Sequence, residues 1–308
     1  MSWQMRAVGT LMRVTRRRRF ADPDGGPALL SRPKGPSQPP SSLRRTCVVE
    51  TDVVEGYDVH RVRAPGTPPG APAVVYLHGG AYVGEIVRQH WSLVADLAAA
   101  PGAGAGPGVE VVVPIYGLAP EHHAEDALRL TGAVLAGLLA EGRPVHLAGD
   151  SAGAGLALAL ALHHGPAPAG LLRGLTLVAP WLDLRMGNPG IEAVEPHDPW
   201  LARPALHAVA RSWAGVLPLT DPRVSPVLAT DEALAALPPV GLWVGTRDIT
   251  LPDTRLLAER LRDAGVPVEL HEEAGAIHVH PLLPVPEGRA ARRVLVRHVV
   301  ESLACAPA

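Results

Sequence analysis

The sequence predicts an α/β protein in which a mostly parallel central sheet is flanked by helices. Short β-type runs alternate with helical runs along most of the chain, as in VVYLHG at 74–79 followed by WSLVADLAAA at 91–100. Alternation of this kind favours a parallel sheet that helices cover on both faces. A chain of 308 residues with 47% hydrophobic composition is also long enough to bury such a sheet in one large domain.

The first 45 residues are expected to form a helix and a Pro- and Gly-rich tether that belong to a cap over the main domain. The helix pattern is amphipathic, with apolar residues opposite basic ones: Val8, Leu11 and Met12 against Arg6, Arg13 and the run 16–19. This pattern favours a helix docked on the protein's own apolar surface over one bound to a membrane. The stretch from Asp22 to Ser42 is rich in Pro, Gly and Ser and predicts a loop.

The main domain is expected to span 46–308. Alternating residues at 47–64 predict an antiparallel hairpin at the edge of the sheet. Further β-type runs follow the one at 74–79: they lie at 109–116, 144–150, 175–181, 240–245 and 266–272. The regular alternation stops at about 183–239, where Pro, Trp and acidic residues accumulate. An insertion there would roof a pocket, because ligands of open α/β sheets bind beyond the carboxyl ends of the strands.

Composition and charge exclude several classes of function. The chain has 28 Lys and Arg against 30 Asp and Glu, so no overall field favours nucleic acid. No apolar run approaches the roughly 18 residues that a membrane span needs, and the N-terminus lacks a secretory signal. Cys47 and Cys305 stand at opposite ends of the chain, which favours a reduced protein. We therefore expect a cytoplasmic protein that acts on a small molecule, without stable membrane insertion and with a homodimer as an open option.

A serine between two glycines marks the junction of a strand and a helix. The motif G-x-S-x-G, as Gly149-Asp150-Ser151-Ala152-Gly153, follows the strand run RPVHL and precedes the helical run LALALALHH. Such an abrupt turn needs glycines where a Cβ would collide, and it pushes the Ser151 side chain out of the sheet. The helix start beneath the serine offers the N–H of Ala152 to an oxyanion. The alternative, a strand-to-helix turn softened by glycine, is less favoured in this context.

A glycine-rich bend follows the β-type run that begins at Val74. In His78-Gly79-Gly80-Ala81, the backbone N–H groups can face a substrate carbonyl, and the sequence leaves open which of the last three donates. Because these donors are backbone groups, Ala81 can replace a third glycine without the loss of a donor.

Together these segments make the chain resemble the hormone-sensitive lipase family of α/β-hydrolases. The resemblance runs from about Asp58 onwards and rests on HGGA, GDSAG, APEH at 119–122, GTRD at 245–248 and AIHVHP at 276–281. It implies an α/β-hydrolase fold with a helical cap, built from an N-terminal segment and an insertion after the sixth strand. It also implies carboxylic ester hydrolysis and an oxyanion hole framed by Gly79, Gly80 and Ala152. One departure is Gly117, because the family commonly has arginine there, in a segment that braces the active-site loop.

The residues that activate the serine are expected further along the chain. A serine hydroxyl needs a base to take its proton and a carboxylate to orient that base. Asp248 ends the run VGLWVGTRD at the carboxyl edge of a strand and is the expected acid, whereas Asp253 is the expected helix cap. His278 and His280 are the candidate bases, and the family pattern places the catalytic histidine at His278.

The spacing of these histidines also permits a metal site. His278 and His280 would be ligands, with His271, His122 and His123 as further donors. No helical H-E-x-x-H motif or cysteine cluster supports this alternative, so neither a metal nor another cofactor is expected.

The sequence thus predicts a serine carboxylic ester hydrolase that acts through an acyl-enzyme, with Ser151, His278 and Asp248 as its catalytic residues. Its expected substrates are short-acyl esters, acetylated small molecules or lactones. Two alternatives stay open, namely a small-molecule binding module and a non-hydrolytic biosynthetic enzyme on the same fold.

Four aromatic residues are candidates for the substrate pocket. Tyr82 and Trp181 are the predicted substrate-binding residues, and Trp200 and Trp213 are further candidates. For all four, packing in the core is the ordinary alternative role.

Overall fold

A mostly parallel sheet runs through the middle of the computed structural model, which describes residues 1–100, 102, 108–164 and 170–304. The described strands are β1 (Val48–Val54), β2 (Tyr57–Arg63), β3 (Ala73–Leu77), β4 (Glu110–Pro114), β5 (Val145–Asp150), β6 (Leu172–Val178), β7 (Val240–Gly245) and β8 (Val268–Glu273). They lie in the order β1-β2-β4-β3-β5-β6-β7-β8. Strand β2 is antiparallel to both neighbours, and the pairs from β4-β3 to β7-β8 are parallel. The predicted α/β class and the edge hairpin are confirmed.

Helices pack on this sheet and precede its first strand. They are α1 (Trp3–Met12), α2 (Arg18–Ala21), α3 (Gly25–Leu30), α4 (Ser41–Thr46), α5 (Arg88–Ala99), α6 (Ala124–Ala140), α7 (Ala152–His163), α8 (Ile191–Val194), α9 (Arg203–Ala214), α10 (Asp231–Ala235), α11 (Leu251–Asp263) and α12 (Pro286–Ala304). A π-helical turn, Arg13–Arg17, joins α1 to α2. None of the described helices is long and apolar enough to cross a membrane.

Strand β3 shows why the sheet is buried on both faces. Successive side chains of a strand point to opposite faces. Ala73, Val75 and Leu77 accordingly join one hydrophobic cluster, whereas Val74 and Tyr76 join the other. All five are almost completely buried. Both faces of the sheet are covered, so polar side chains that act on a ligand are expected in the loops at the carboxyl ends of the parallel strands.

The N-terminal helix docks on the protein's own apolar surface, as predicted. Met5, Val8 and Met12 pack in a cluster that includes Ile277. Leu11, which the sequence placed on the same apolar side, is instead 55% exposed. The helix therefore covers the loop that carries His278 while leaving part of its apolar surface in solvent.

The stretch from Asp22 to Ser42, for which a loop or tether was expected, contains the short helix α3. Pro27 falls in the first turn of α3, where the missing N–H costs nothing. Gly26 allows close packing on α9, since a Cβ there would lie 2.4 Å from the Cβ of Ala208. Packing against a neighbouring helix thus overrides a composition that disfavours helix.

The segment between β6 and β7 contains α8, α9 and α10. Helix α9 packs against both α2 and α3. The N-terminal segment and this later segment therefore lie against each other. Of the two cysteines, Cys47 is buried, and Cys305 lies outside the described residues.

Candidate active site

Ser151 lies at the abrupt turn from β5 into α7. Its backbone has φ 51° and ψ -119°, a conformation that residues with a Cβ rarely adopt. The flanking glycines make the turn possible. A Cβ at Gly149 would lie 2.5 Å from the carbonyl oxygen of Gly153, and a Cβ at Gly153 would lie 2.1 Å from that of Leu77. The turn holds the Ser151 side chain clear of the sheet, where it lines a pocket.

Three side chains form a continuous hydrogen-bonded chain at the carboxyl edge of the sheet. The Oγ of Ser151 lies 2.9 Å from Nε2 of His278. The Nδ1 of the same ring lies 2.9 Å from Oδ2 and 3.0 Å from Oδ1 of Asp248. The aspartate follows β7 and the histidine follows β8, so the loops after three different strands supply the group. The structure thus brings together the three residues that the sequence selected.

His280 lies outside this chain of hydrogen bonds. Its ring is 1% exposed, and its Nδ1 has no hydrogen-bond partner among the described residues. Burial lowers the pKa of His280 to about 4, so the ring is neutral at physiological pH. A buried neutral imidazole acts here as a packing residue.

The surroundings of Asp248 set the basicity of His278. Asp248 is fully buried and accepts hydrogen bonds from the backbone N–H of Thr250 at 3.0 Å and from its hydroxyl at 2.9 Å. Burial by itself lowers the pKa of His278, but the adjacent Asp248 carboxylate raises it above its ordinary value, and Asp198 adds to this effect. A more basic imidazole is a better acceptor for the Ser151 proton.

Sequence reasoning missed Asp198, a second buried carboxylate close to Asp248. Its Oδ1 accepts hydrogen bonds from the backbone N–H groups of Trp200 at 2.7 Å and Leu201 at 2.9 Å. Its Oδ2 accepts one from the N–H of Ile249 at 2.8 Å. Burial and the charge of Asp248 raise the pKa of Asp198 to about 6. The Asp-Pro pair in HDPW signals a turn, but nothing local in the sequence places this turn beside the loop after β7.

The structure corrects one predicted oxyanion donor. The N–H of Gly79 donates to Oδ1 of Asp150 at 3.0 Å and is therefore occupied. The N–H groups of Gly80 and Ala81 donate no hydrogen bond within the described residues, and both residues line the pocket. Ala152 is the first residue of α7, so its N–H has no intrahelical partner. Gly80, Ala81 and Ala152 are thus the candidate donors.

Asp150 clamps the glycine-rich bend onto β5. Its Oδ1 also accepts the hydroxyl of Tyr76 at 2.5 Å, and its Oδ2 lies 3.3 Å from Nε2 of His90. Gly79 is needed at this contact, because a Cβ there would lie 2.2 Å from the same Oδ2. Burial by itself raises the pKa of Asp150, but His90 and the hydrogen bonds from Tyr76 and Gly79 lower it below its ordinary value. An ionised buried carboxylate therefore holds the bend that carries the candidate donors.

Tyr116, just before the APEH segment, braces the same bend in a chain that lacks the family's arginine. The hydroxyl of Tyr116 donates to the carbonyl oxygen of His78, and the two rings stack with centroids 4.5 Å apart. At Gly117 a Cβ would lie 2.2 Å from the ring of His122, so that ring fills the space next to the backbone. The space next to Gly117 is thus taken by the His122 ring.

Ser151 opens into a pocket of about 520 Å³. This volume falls within the range of small-molecule sites. Much of its apolar wall comes from the N-terminal segment, the bend and the segment after β6, and the loop after β8 adds to it. These lining residues include Phe20, Leu29, Val83, Trp181, Met186, Leu206 and Leu282. Trp200 also lines it and stands edge to face against the His278 ring, with centroids 5.7 Å apart.

The structure corrects the predicted substrate contact of Tyr82. Its side chain is 2% exposed and stacks on Trp213, with ring centroids 4.0 Å apart. It also packs against Trp181, at 5.8 Å. Tyr82 lies behind the described pocket wall and supports Trp181, which does line the pocket.

The histidines considered for a metal are dispersed. His271 stacks on Trp243 with centroids 4.5 Å apart, and Nδ1 of His123 lies 2.9 Å from the carbonyl oxygen of Ser212. In the part of the chain that the structure describes, no group of three or more His, Cys, Asp or Glu is arranged to hold a metal ion.

Comparison with known proteins places this geometry in a family. A model of the alpha/beta hydrolase fold matches residues 74–282. The chain is 33% identical to an esterase of Acinetobacter venetianus over 63% of each protein. It is 32% identical to an acetyl-hydrolase of Streptomyces hygroscopicus, over 72% of this chain and 73% of that protein.

Solved structures agree with this placement. An esterase from the bacterial hormone-sensitive lipase family superposes with a TM-score of 0.77 at 26% identity, over 99% of this chain and 100% of that one. A putative esterase from Staphylococcus aureus gives a TM-score of 0.77 at 26% identity, over 89% of both chains. The chain therefore belongs to the α/β-hydrolase fold family, with the resemblance to hormone-sensitive lipase esterases that its motifs predicted.

Proposed function

We propose that the chain is a serine carboxylic ester hydrolase that acts on short-acyl esters, acetylated small molecules or lactones. Its family, and relatives named esterase and acetyl-hydrolase, support ester hydrolysis as the reaction class. The observation that carries the proposal is the chain of hydrogen bonds from Ser151 through His278 to Asp248. Hydrogen-bond distances of about 2.6 to 3.2 Å are those at which a general base activates a serine.

The reaction proceeds in two halves. The Oγ of Ser151 attacks the ester carbonyl carbon while Nε2 of His278 takes its proton, and Asp248 stabilises the imidazolium that forms. The negative charge on the carbonyl oxygen is met by the N–H groups of the bend and of Ala152. The alcohol leaves with the proton from His278. In the second half, Nε2 of His278 takes a proton from water as the water oxygen attacks the acyl carbon, and it returns that proton to the Oγ of Ser151 as the bond to the acyl group breaks and the acid is released. None of these steps requires a cofactor.

The pocket supports a small substrate. We assign the N-terminal segment and the segment between β6 and β7 to one cap, because Phe20 and Leu29 from the first and Leu206 from the second line the same pocket. A volume of about 520 Å³ accommodates a small ester together with its alcohol group. A binding module would not need the buried Asp248–His278 pair, which favours the enzyme. We also propose a cytoplasmic location.

The test is a series of p-nitrophenyl esters from acetate to palmitate, assayed with the wild-type chain and with Ser151→Ala. We expect the shorter esters to be hydrolysed faster, and Ser151→Ala to lose this activity and its labelling by a fluorophosphonate while unfolding at the same temperature. Hydrolysis at the wild-type rate by the variant would refute the role of Ser151. Labelling of the wild type without hydrolysis of any ester would favour a non-hydrolytic reaction.

A further inference from the structure

The N-terminal helical run has a second apolar side, which faces away from the protein. Trp3 is 73% exposed, Leu11 is 55% exposed and Val14 is 61% exposed. Spacings of eight and three residues place them along one side of a helix. The opposite side is docked through Met5, which is fully buried. We call the exposed residues Trp3, Leu11 and Val14 the outer stripe.

Basic charge surrounds the outer stripe. Residues 1–21 contain six arginines and no acidic residue, although the whole chain has a formal net charge of -2. Among the described residues, the one ion pair formed by this segment joins the α-amino group to Glu287 at 4.0 Å. No arginine of this segment pairs with a carboxylate of the described residues, so the positive charge of the helical run is not balanced there.

The same helical run forms part of the pocket wall. Met12, Arg16, Arg19 and Phe20 line the pocket into which Ser151 opens. Whatever the outer stripe binds therefore contacts the same helical run that lines the pocket.

We propose that the outer stripe, with Arg6, Arg13 and Arg18, docks on the surface of an anionic lipid bilayer. An apolar stripe bordered by arginines matches a layer in which acyl chains lie just below negatively charged head groups. A nucleic acid would use the arginines and leave Trp3, Leu11 and Val14 in water, so the combination favours lipid. Docking in this way concentrates the protein where apolar esters partition, and it depends on surface residues and not on catalysis.

The experiment measures co-sedimentation of the full chain with lipid vesicles. The protein carries Ser151→Ala, so that vesicle lipids are not consumed. We expect binding to vesicles of phosphatidylcholine with phosphatidylglycerol, much weaker binding to phosphatidylcholine alone, and weakening by added salt.

Two pairs of substitutions test the two parts of the surface. Leu11→Asp with Val14→Asp should lower the partition coefficient at least about tenfold, because both side chains would otherwise enter the interface. Arg6→Glu with Arg13→Glu should lower it by about 25-fold or more, since each arginine near an anionic surface contributes about fivefold. All four side chains lie outside the described pocket wall. When the same substitutions are made in the chain that keeps Ser151, hydrolysis of soluble p-nitrophenyl acetate should therefore be unchanged.

Matched controls come from other surfaces of the chain. Val216 is 89% exposed, so Val216→Asp adds the same kind of charge away from the helical run. Arg293 and Arg297 are exposed on α12, and their replacement by glutamate repeats the charge change of the arginine pair. Both controls should bind the anionic vesicles within about twofold of the parent.

Three results would overturn the proposal. The first is equal binding to neutral and anionic vesicles, or no binding to either. The second is a loss in the control variants as large as that in the outer-stripe variants. The third is binding to single-stranded RNA that the arginine pair abolishes and the Leu11–Val14 pair does not, with vesicle binding absent, which would make the surface a nucleic-acid site.

Discussion

Asp150→Asn tests whether a buried carboxylate positions the oxyanion bend. The carboxylate accepts hydrogen bonds from the hydroxyl of Tyr76 and the N–H of Gly79, and a third donor, Nε2 of His90, lies 3.3 Å from its Oδ2. The N–H of Val87 donates to Nδ1 of His90 at 2.9 Å, so the proton of that ring is on Nε2 and points at Asp150. An asparagine keeps an acceptor for the first two donors but turns an NH₂ group towards the third.

The magnitude follows from these three contacts. A hydrogen bond to a charged acceptor contributes about 2 kcal/mol and one to a neutral acceptor about 1 kcal/mol, so the two retained bonds lose about 2 kcal/mol together. Two donors that face each other in a buried site cost about 2 kcal/mol more. We therefore expect the free energy of unfolding to fall by about 4 kcal/mol.

The effect on catalysis is separate and arises from the bend. Loss of one oxyanion donor lowers kcat by about 10² to 10³. Because the amides of Gly80 and Ala81 are displaced and not removed, we expect Asp150→Asn to lower kcat about 10-fold to 100-fold and to leave KM nearly unchanged. Urea unfolding and initial rates on p-nitrophenyl butyrate measure the two effects.

The control is Tyr76→Phe, which removes one donor from the same carboxylate and keeps the contact with Gly79. It should lower the free energy of unfolding by about 1 to 2 kcal/mol and leave kcat within a few-fold. If Asp150→Asn is destabilised as expected but keeps the wild-type kcat, the carboxylate does not position the bend. If its stability is also unchanged, the hydrogen-bond argument itself is wrong.

Three further predictions concern the base, its pKa and the pocket. His278→Ala should lower kcat by several orders of magnitude, whereas His280→Ala should keep most of the rate and lower only the free energy of unfolding. Initial rates and urea unfolding distinguish the two variants. The reverse result would assign the base to His280. Because the Asp248 carboxylate raises the pKa of His278, kcat/KM should fall as the pH drops through that raised pKa, since a protonated ring cannot take the Ser151 proton. In Asp248→Asn the acid limb of the pH profile should move to lower pH, and an unmoved limb would contradict the assignment. Phe20→Ala should enlarge the pocket and raise the ratio of octanoate to butyrate hydrolysis, whereas an unchanged ratio would place Phe20 away from the acyl group.

Local patterns in the sequence were sufficient for the strands and the turn at Ser151, and they limited the expected partners of Ser151 to Asp248, His278 and His280. The two glycines mark this turn in the sequence, because glycine lets other backbone atoms approach closely. At Gly149 the atoms that exclude a Cβ lie within the turn, whereas at Gly153 they belong to Leu77 and His78. A parallel strand that is buried on both faces consists mostly of apolar residues, so these strands can be predicted from their composition. The choice of His278 over His280 came from the family pattern, and the structure places the two rings in different surroundings.

Tertiary structure decided which polar groups stay free to act. The N–H of Gly79 is occupied because Asp150 from β5 reaches the bend after β3, and the sequence cannot show that two segments seventy-one residues apart share this hydrogen bond. Asp198 lies beside the Asp248 loop for the same reason, since its partner Ile249 is fifty-one residues away. Tyr82 faces inward because it stacks on Trp213, a contact made by α9. Steric limits on the backbone depend largely on residues that are close in the sequence. The hydrogen-bond partners of a polar group and the exposure of a side chain depend instead on how distant segments pack.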